Sequence, residues 1–111
     1  FLFTGDAEEE AEYDMLNNGL DLNADVYKVG HHGSSSSTCR EFLKAIDPDY
    51  AVISCGAEND YGHPHSETLN KLREQGIQVF RTDEQGTIVA VSDGQKVVFN
   101  MAPSDNWVSG R

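Results

Sequence analysis

All four histidines of this 111-residue chain fall in two short clusters, Gly30-His31-His32-Gly33-Ser34 and Gly62-His63-Pro64-His65. Each follows a strand-like apolar run, which ends at Val29 before the first cluster and at Ser54 before the second. Neutral imidazole is the commonest nitrogen ligand for a transition metal and the usual acid or base near neutral pH. A third run, Phe1-Leu2-Phe3-Thr4-Gly5-Asp6, ends on a carboxylate. One carboxylate and two histidine clusters at strand ends point to a metal-dependent hydrolytic site. Structural readings compete: Asp6 also stands where a helix N-cap would, and Gly62-His63-Pro64 also reads as a rigid turn. Ser35 to Ser37 read as plain loop.

The elements that must position these groups alternate. Phe1 to Thr4 reads as a strand, and Ala7 to Asn17 as a helix with Ala11, Met15 and Leu16 on one stripe. Glu8, Glu9 and Glu10 in its first turn complement the helix dipole. Asp25 to Val29 is a strand, and Thr38 with Glu41 fits a capping box for a helix through Phe42, Leu43 and Ile46 that Pro48 stops. Tyr50 to Ser54 reads as a strand covered on both faces. Ser66 reads as the N-cap of a helix carrying Leu69 and Leu72, with Gly76 past its end. Ile77 to Arg81, Thr87 to Ser92 and Lys96 to Asn100 read as strands, and Asp93-Gly94 is a hairpin signal. The order β-α-β-α-β-α-β-β-β predicts an α/β fold, and functional groups of open α/β sheets gather at strand carboxyl ends. Spacings of about 25 and 30 residues between the three motifs are one strand-helix unit each, so neighbouring strands can bring them together.

Composition narrows the classes. A net charge of -11 argues against unaided nucleic-acid binding, which wants a basic surface. A bound divalent cation reverses the local sign, so an anionic substrate stays open. Cys39 and Cys55 lack Cys-x-x-Cys spacing, and their pairing is left open. No apolar stretch is long enough for a membrane span, and no signal peptide is present. The opening on Phe-Leu-Phe suggests a strand entered midway, hence a fragment.

Taken together, Phe-Leu-Phe-Thr-Gly-Asp, Tyr-Lys-Val-Gly-His-His-Gly-Ser-Ser-Ser-Ser, Tyr-Ala-Val-Ile-Ser and Tyr-Gly-His-Pro-His resemble the metallo-β-lactamase superfamily. The likeness is to the metallo-hydrolase domain of ComEC-type competence proteins and their soluble relatives, over residues 1 to about 92. It implies the C-terminal half of an αββα sandwich, a mixed sheet with helices on one face. The half-domain would span residues 1–102, with 103–111 a loosely ordered tail unless Trp107 docks. The resemblance implies Asp6, His32 and His31 as metal ligands, Asp6 bridging two metals. It leaves open which of His31 and His32 is the ligand, with a slight lean to His32. It gives His31 and His63 acid/base roles and puts Ser34 and His65 at the substrate. The implied cofactor is zinc, one or two ions in the complete domain, with manganese an option. The implied reaction is hydrolysis of phosphodiester or related ester bonds by metal-activated water.

The departure matters as much. The superfamily's His-x-His-x-Asp-His signature is absent. The expected partner is therefore the missing N-terminal half of the domain, and the fragment alone is expected to bind metal weakly and to be inactive. A second copy is the alternative cover for an exposed apolar face. The resemblance points to a bacterium and leaves the compartment unknown, an extracytoplasmic or secreted location among the options. Two other classes remain: a non-catalytic structural or interaction module of the same fold, and an unrelated α/β domain with coincidental histidines. The latter has no Gly-x-Ser-x-Gly elbow or glycine-rich nucleotide loop to support it.

Overall fold

Four apolar runs separated by amphipathic helices build a sheet of sequential parallel neighbours, because each strand-helix-strand unit returns the chain beside the strand it left. The computed structural model describes residues 1–110. Strands β1 (Leu2–Phe3), β2 (Val26–Lys28), β3 (Tyr50–Ile53) and β4 (Gln78–Arg81) lie in the order β1-β2-β3-β4, all parallel. Between them run α1 (Glu9–Asn17), α2 (Arg40–Ile46) and α3 (Ser66–Glu74). Tyr27, Val29, Ala51, Ile53 and Val79 of the sheet pack with Phe42, Leu43, Ile46, Leu69 and Leu72 of the helices in a single core. Tyr13, Met15 and Leu16 of α1 pack against the same core, so the three helices share one face.

The other face is only partly covered. A turn of helix, α4 (Thr82–Gln85), carries the chain out of the sheet plane into an antiparallel hairpin, β5 (Ala90–Ser92) and β6 (Val97–Phe99). The hairpin forms its own sheet, so the single mixed sheet expected from the sequence is instead a parallel sheet plus a separate ribbon. Its turn uses the expected Asp93, whose Oδ1 accepts from the Gln95 and Lys96 amides, each at 2.9 Å. Phe99 stacks on Phe80 at 3.9 Å between centroids and meets Tyr50 at 4.9 Å. Phe1 and Phe3 remain 55% and 71% exposed, beside a cavity of about 210 Å³ lined also by Val26, Lys28, Val52, Ile88 and Ala90. Tyr50 and Val52 are half-buried, so β3 is not sealed on both sides.

Two helix starts differ from their sequence signals. In α2 the N-cap is Cys39 with no side-chain cap, and Thr38 takes a left-handed φ of 61°. The fully buried Glu12 of α1 does the capping instead, its two carboxylate oxygens accepting from Thr38 N at 2.6 Å and Cys39 N at 2.8 Å. A charged acceptor on orphan amides outcompetes a local hydroxyl. The α1 stripe is accordingly rotated: Glu12 faces in, and Ala11 faces solvent. In α3 the N-cap is His65, not Ser66.

Residues 103–110 fold back on the sheet. Ser104 bridges to Val79 of β4, donating its amide to the Val79 carbonyl at 2.7 Å. Trp107 packs against the core, with the Arg73 guanidinium 5.5 Å from its ring centroid. Cys39 and Cys55 are both free thiols. Among the described residues, no helix is long and apolar enough to cross a membrane.

Candidate functional site

The loop after β2 begins with Gly30, whose amide donates to the buried Tyr27 hydroxyl at 3.3 Å, while that hydroxyl also meets Thr38 Oγ1 at 3.0 Å. Burial, foremost, raises the Tyr27 phenol above its usual range, so it stays neutral and available for these bonds. His31 and His32 then take left-handed φ values of 51° and 57°, followed by Gly33 at 82°. Each non-glycine residue held there costs about 1–2 kcal/mol, which the surroundings must offset. Three contacts do so. His31 N donates to Gly5 O at 2.9 Å, tying the cluster to the turn that holds Asp6. His32 Nδ1 lies 2.8 Å from Ser54 O at the end of the β3 run, and His65 N donates to Gly33 O at 2.9 Å. Gly33 is required where it stands: a Cβ there would meet Pro64 Cβ at 2.7 Å.

These links gather all four imidazoles. Ring centroids of His31, His32 and His63 form a triangle with sides of 6.4, 6.0 and 6.0 Å, and His65 lies 4.7 Å from His63. The hydrogen bonds distinguish their roles. A carbonyl only accepts, so His32 carries its proton on Nδ1 and keeps the Nε2 lone pair free, the arrangement usual for a metal-binding histidine. His65 uses both nitrogens: Nδ1 accepts from the Ser35 amide at 2.9 Å, and Nε2–H donates to Tyr61 O at 2.9 Å. It therefore stands as a brace between the two loops. His31 Nδ1 faces Ser36 Oγ at 3.4 Å and Glu8 Oε2 at 3.5 Å, both long. His63 is 8% exposed, stacked between Tyr61 and His32. Burial, then the neighbouring His65, His32 and His31, holds its imidazole below the usual range, so it is a neutral acceptor at pH 7.

Asp6 is exposed, and the helix cap it might have provided falls to Glu8, which makes no side-chain cap. Its charge acts on the Lys28 ammonium, opposing the downward pull of burial there. Ser34 is buried, its hydroxyl turned 2.9 Å to Ser36 Oγ within its own loop. Among the described residues, no three His, Cys, Asp or Glu side chains are close enough together to hold a metal ion.

Several residues of the site carry no strong sequence signal. Asn59 clamps the second loop from inside: Oδ1 accepts from His63 N at 2.9 Å, and Nδ2 donates to His63 O at 2.7 Å and Gly56 O at 2.8 Å. An Asn ahead of Asp-Tyr-Gly is an Asx-turn signal that fits this role. Asn59 lines, with His32, Cys55, Gly56, Tyr61 and His63, a cavity of about 180 Å³. Burial first, and Asp83 next, push the Cys55 thiol there up to about 11, so it rests as a thiol near neutral pH.

Known proteins resemble the chain over most of its length. It is 47% identical over 88 residues to ComE operon protein 3 of Bacillus subtilis, matching 79% of this chain and 11% of that protein. Competence protein ComA of Neisseria gonorrhoeae is 40% identical over 88 residues, 78% of this chain and 13% of its own length. Recombination protein 2 of Haemophilus influenzae is 36% identical over 87 residues, 78% of this chain and 11% of its own. The chain thus spans about a tenth of the length of the curated relatives it matches. No family model matches it, and no solved structure matches it.

Proposed function

We propose that this chain forms one wall of a metal-dependent hydrolytic site in a competence-type DNA-uptake protein, acting on phosphodiester or related ester bonds. Similarity to competence-named bacterial proteins supports the setting. One structural observation carries the chemistry. Four imidazoles from two loops converge beside the Asp6 turn, and His32 is fixed through Nδ1 with Nε2 free.

The donor chemistry fits zinc or manganese in part. Asp6 and one of His32 and His31, His32 by preference, would hold the cation, one or two in the complete domain, with further ligands supplied from outside this chain. When bound, such a cation lowers the pKa of a bound water and offsets phosphate charge. Neutral imidazole adds no negative charge that would repel a phosphate. His63, buried and neutral, is suited to take or return a proton at the cavity it shares with His32. His31, with only long contacts at Nδ1, is the second candidate for that work. His65 orients the loops, and Ser34 supports the turn behind them at the substrate side. The open apolar face is the seat of the missing N-terminal half in this reading, or of a second copy when the chain is alone; its mass by light scattering separates the two.

Calorimetric titration with zinc and with manganese tests the site. Binding that disappears in both Asp6→Ala and the His31/His32 double alanine supports it. Binding that survives in both overturns it. A second reading, a non-catalytic interaction module of the same fold, is favoured by the lack of a three-ligand cluster among the described residues. Titration of a longer protein that contains this chain discriminates: a module binds no metal there either.

A further inference from the structure

Arg81, at the end of β4, is a guanidinium with 2% side-chain exposure. It grips Asp83, itself 8% exposed, with Nε to Oδ1 at 3.1 Å and Nη2 to Oδ2 at 2.8 Å. Its remaining donor group, Nη1, reaches two backbone carbonyls of the C-terminal segment, Asn106 O at 2.9 Å and Val108 O at 2.8 Å. A buried charge is tolerated only when paired and fully hydrogen-bonded, and here part of the pairing is the segment itself. Two residues further on, the Gly110 amide donates to Pro64 O at 3.1 Å. Gly110 lies flush on the second histidine loop: a Cβ there would run into His63 O and come within 2.8 Å of His63 C and 3.2 Å of Asp83 Oδ2. The His63 carbonyl is thus held between Gly110 on one side and the Asn59 amide on the other. An imidazole stacked on Tyr61 and His32 is only as well placed as the backbone that carries it.

We infer that Arg81 and Asp83 are positioning residues for His63, acting through the C-terminal segment they pin and the seat of Gly110 on His63-Pro64. The segment is then part of the site, and loosening it displaces the imidazole without touching it. This rests on the reading of His63 as a working group of the proposed site.

The test uses the full chain without metal. Carbon-proton correlation spectra resolve the four imidazoles, and amide exchange reports His63 N and His65 N, whose acceptors are Asn59 Oδ1 and Gly33 O. Gly110→Ala is expected to move the His63 ring signals beyond their linewidth and to speed exchange at those two amides about tenfold or more. The Tyr13 ring signals, on α1, are expected to stay in place. Arg81→Gln is expected to shift His63 in the same direction; if it fails to fold, Asp83→Asn replaces it. Asp14→Ala, at an exposed position of α1, is the control and is expected to leave the His63 signals in place. A purely structural tail would lower global stability and leave the His63 ring signals unmoved relative to those of Tyr13. Unmoved His63 signals in Gly110→Ala overturn the proposal. Because no metal enters the measurement, that result leaves the metal-site reading standing, and a failed metal titration leaves this one standing.

Discussion

Gly33→Ala probes how closely the two histidine loops must approach. The methyl group would sit 2.7 Å from Pro64 Cβ, 3.0 Å from Pro64 Cα and 3.3 Å from Ile53 Cγ2. Two of these are the body of a proline ring on a clamped loop, so they yield poorly, and overpacking of this kind costs about 1–3 kcal/mol. The φ of +82° adds about 1–2 kcal/mol for a residue with a Cβ. Against this, alanine loses less backbone entropy on folding, a gain of about 0.4–1 kcal/mol. The net expectation is a destabilisation of about 2–4 kcal/mol. Urea unfolding reads it as a midpoint lowered by roughly 1–2 M at a typical slope for a small domain. Gly56→Ala is the reference, with no positive φ and nothing near its Cβ. The same variant should loosen the bond from His65 N to Gly33 O and raise amide exchange at His65. A Gly33→Ala protein within about 0.5 kcal/mol of the Gly56→Ala reference would refute the close approach on which the convergence depends.

Two further outcomes follow from buried groups. Glu12→Gln replaces one carboxylate oxygen with a donor facing a backbone N–H, leaving one of the Thr38 and Cys39 amides unsatisfied. It should cost about 2–4 kcal/mol in urea or thermal unfolding, and a loss below about 1 kcal/mol would mean the α2 start is capped some other way. For Cys55 the folded pKa of about 11 lies above the ordinary thiol value of 9.0. The raised value means the thiolate is disfavoured in the fold, so its contribution to stability is full below pH 9 and is lost as pH rises towards 11. Alkylation by a thiolate-selective reagent at pH 8 should therefore be far slower at Cys55 in the folded chain than in urea; equal rates would contradict the burial.

The sequence by itself determined the strand-helix alternation, the hairpin at Asp93-Gly94 and the grouping of chemistry at three strand ends. Those follow from local periodicity and turn chemistry, which act over a few residues and survive without the fold. It also marked every histidine of the cluster, because imidazoles beside glycine after apolar runs are uncommon. It did not assign their roles. Whether His65 meets the substrate or braces the loops depends on Ser35 N and Tyr61 O, the first of them 30 positions away in the chain. Nor did it find Glu12 as the cap of α2, since a glutamate in an acidic first turn looks like a solvated face until a second helix packs on it. The mixed sheet became a parallel sheet and a ribbon because α4 redirects the chain, a choice made by the Arg81-Asp83 pair and the packing of Phe99 on Phe80. The clasp from Arg81 to Gly110 was invisible in sequence for the same reason. Burial of a charge, and the hydrogen bonds that make it tolerable, exist only once distant segments have come together.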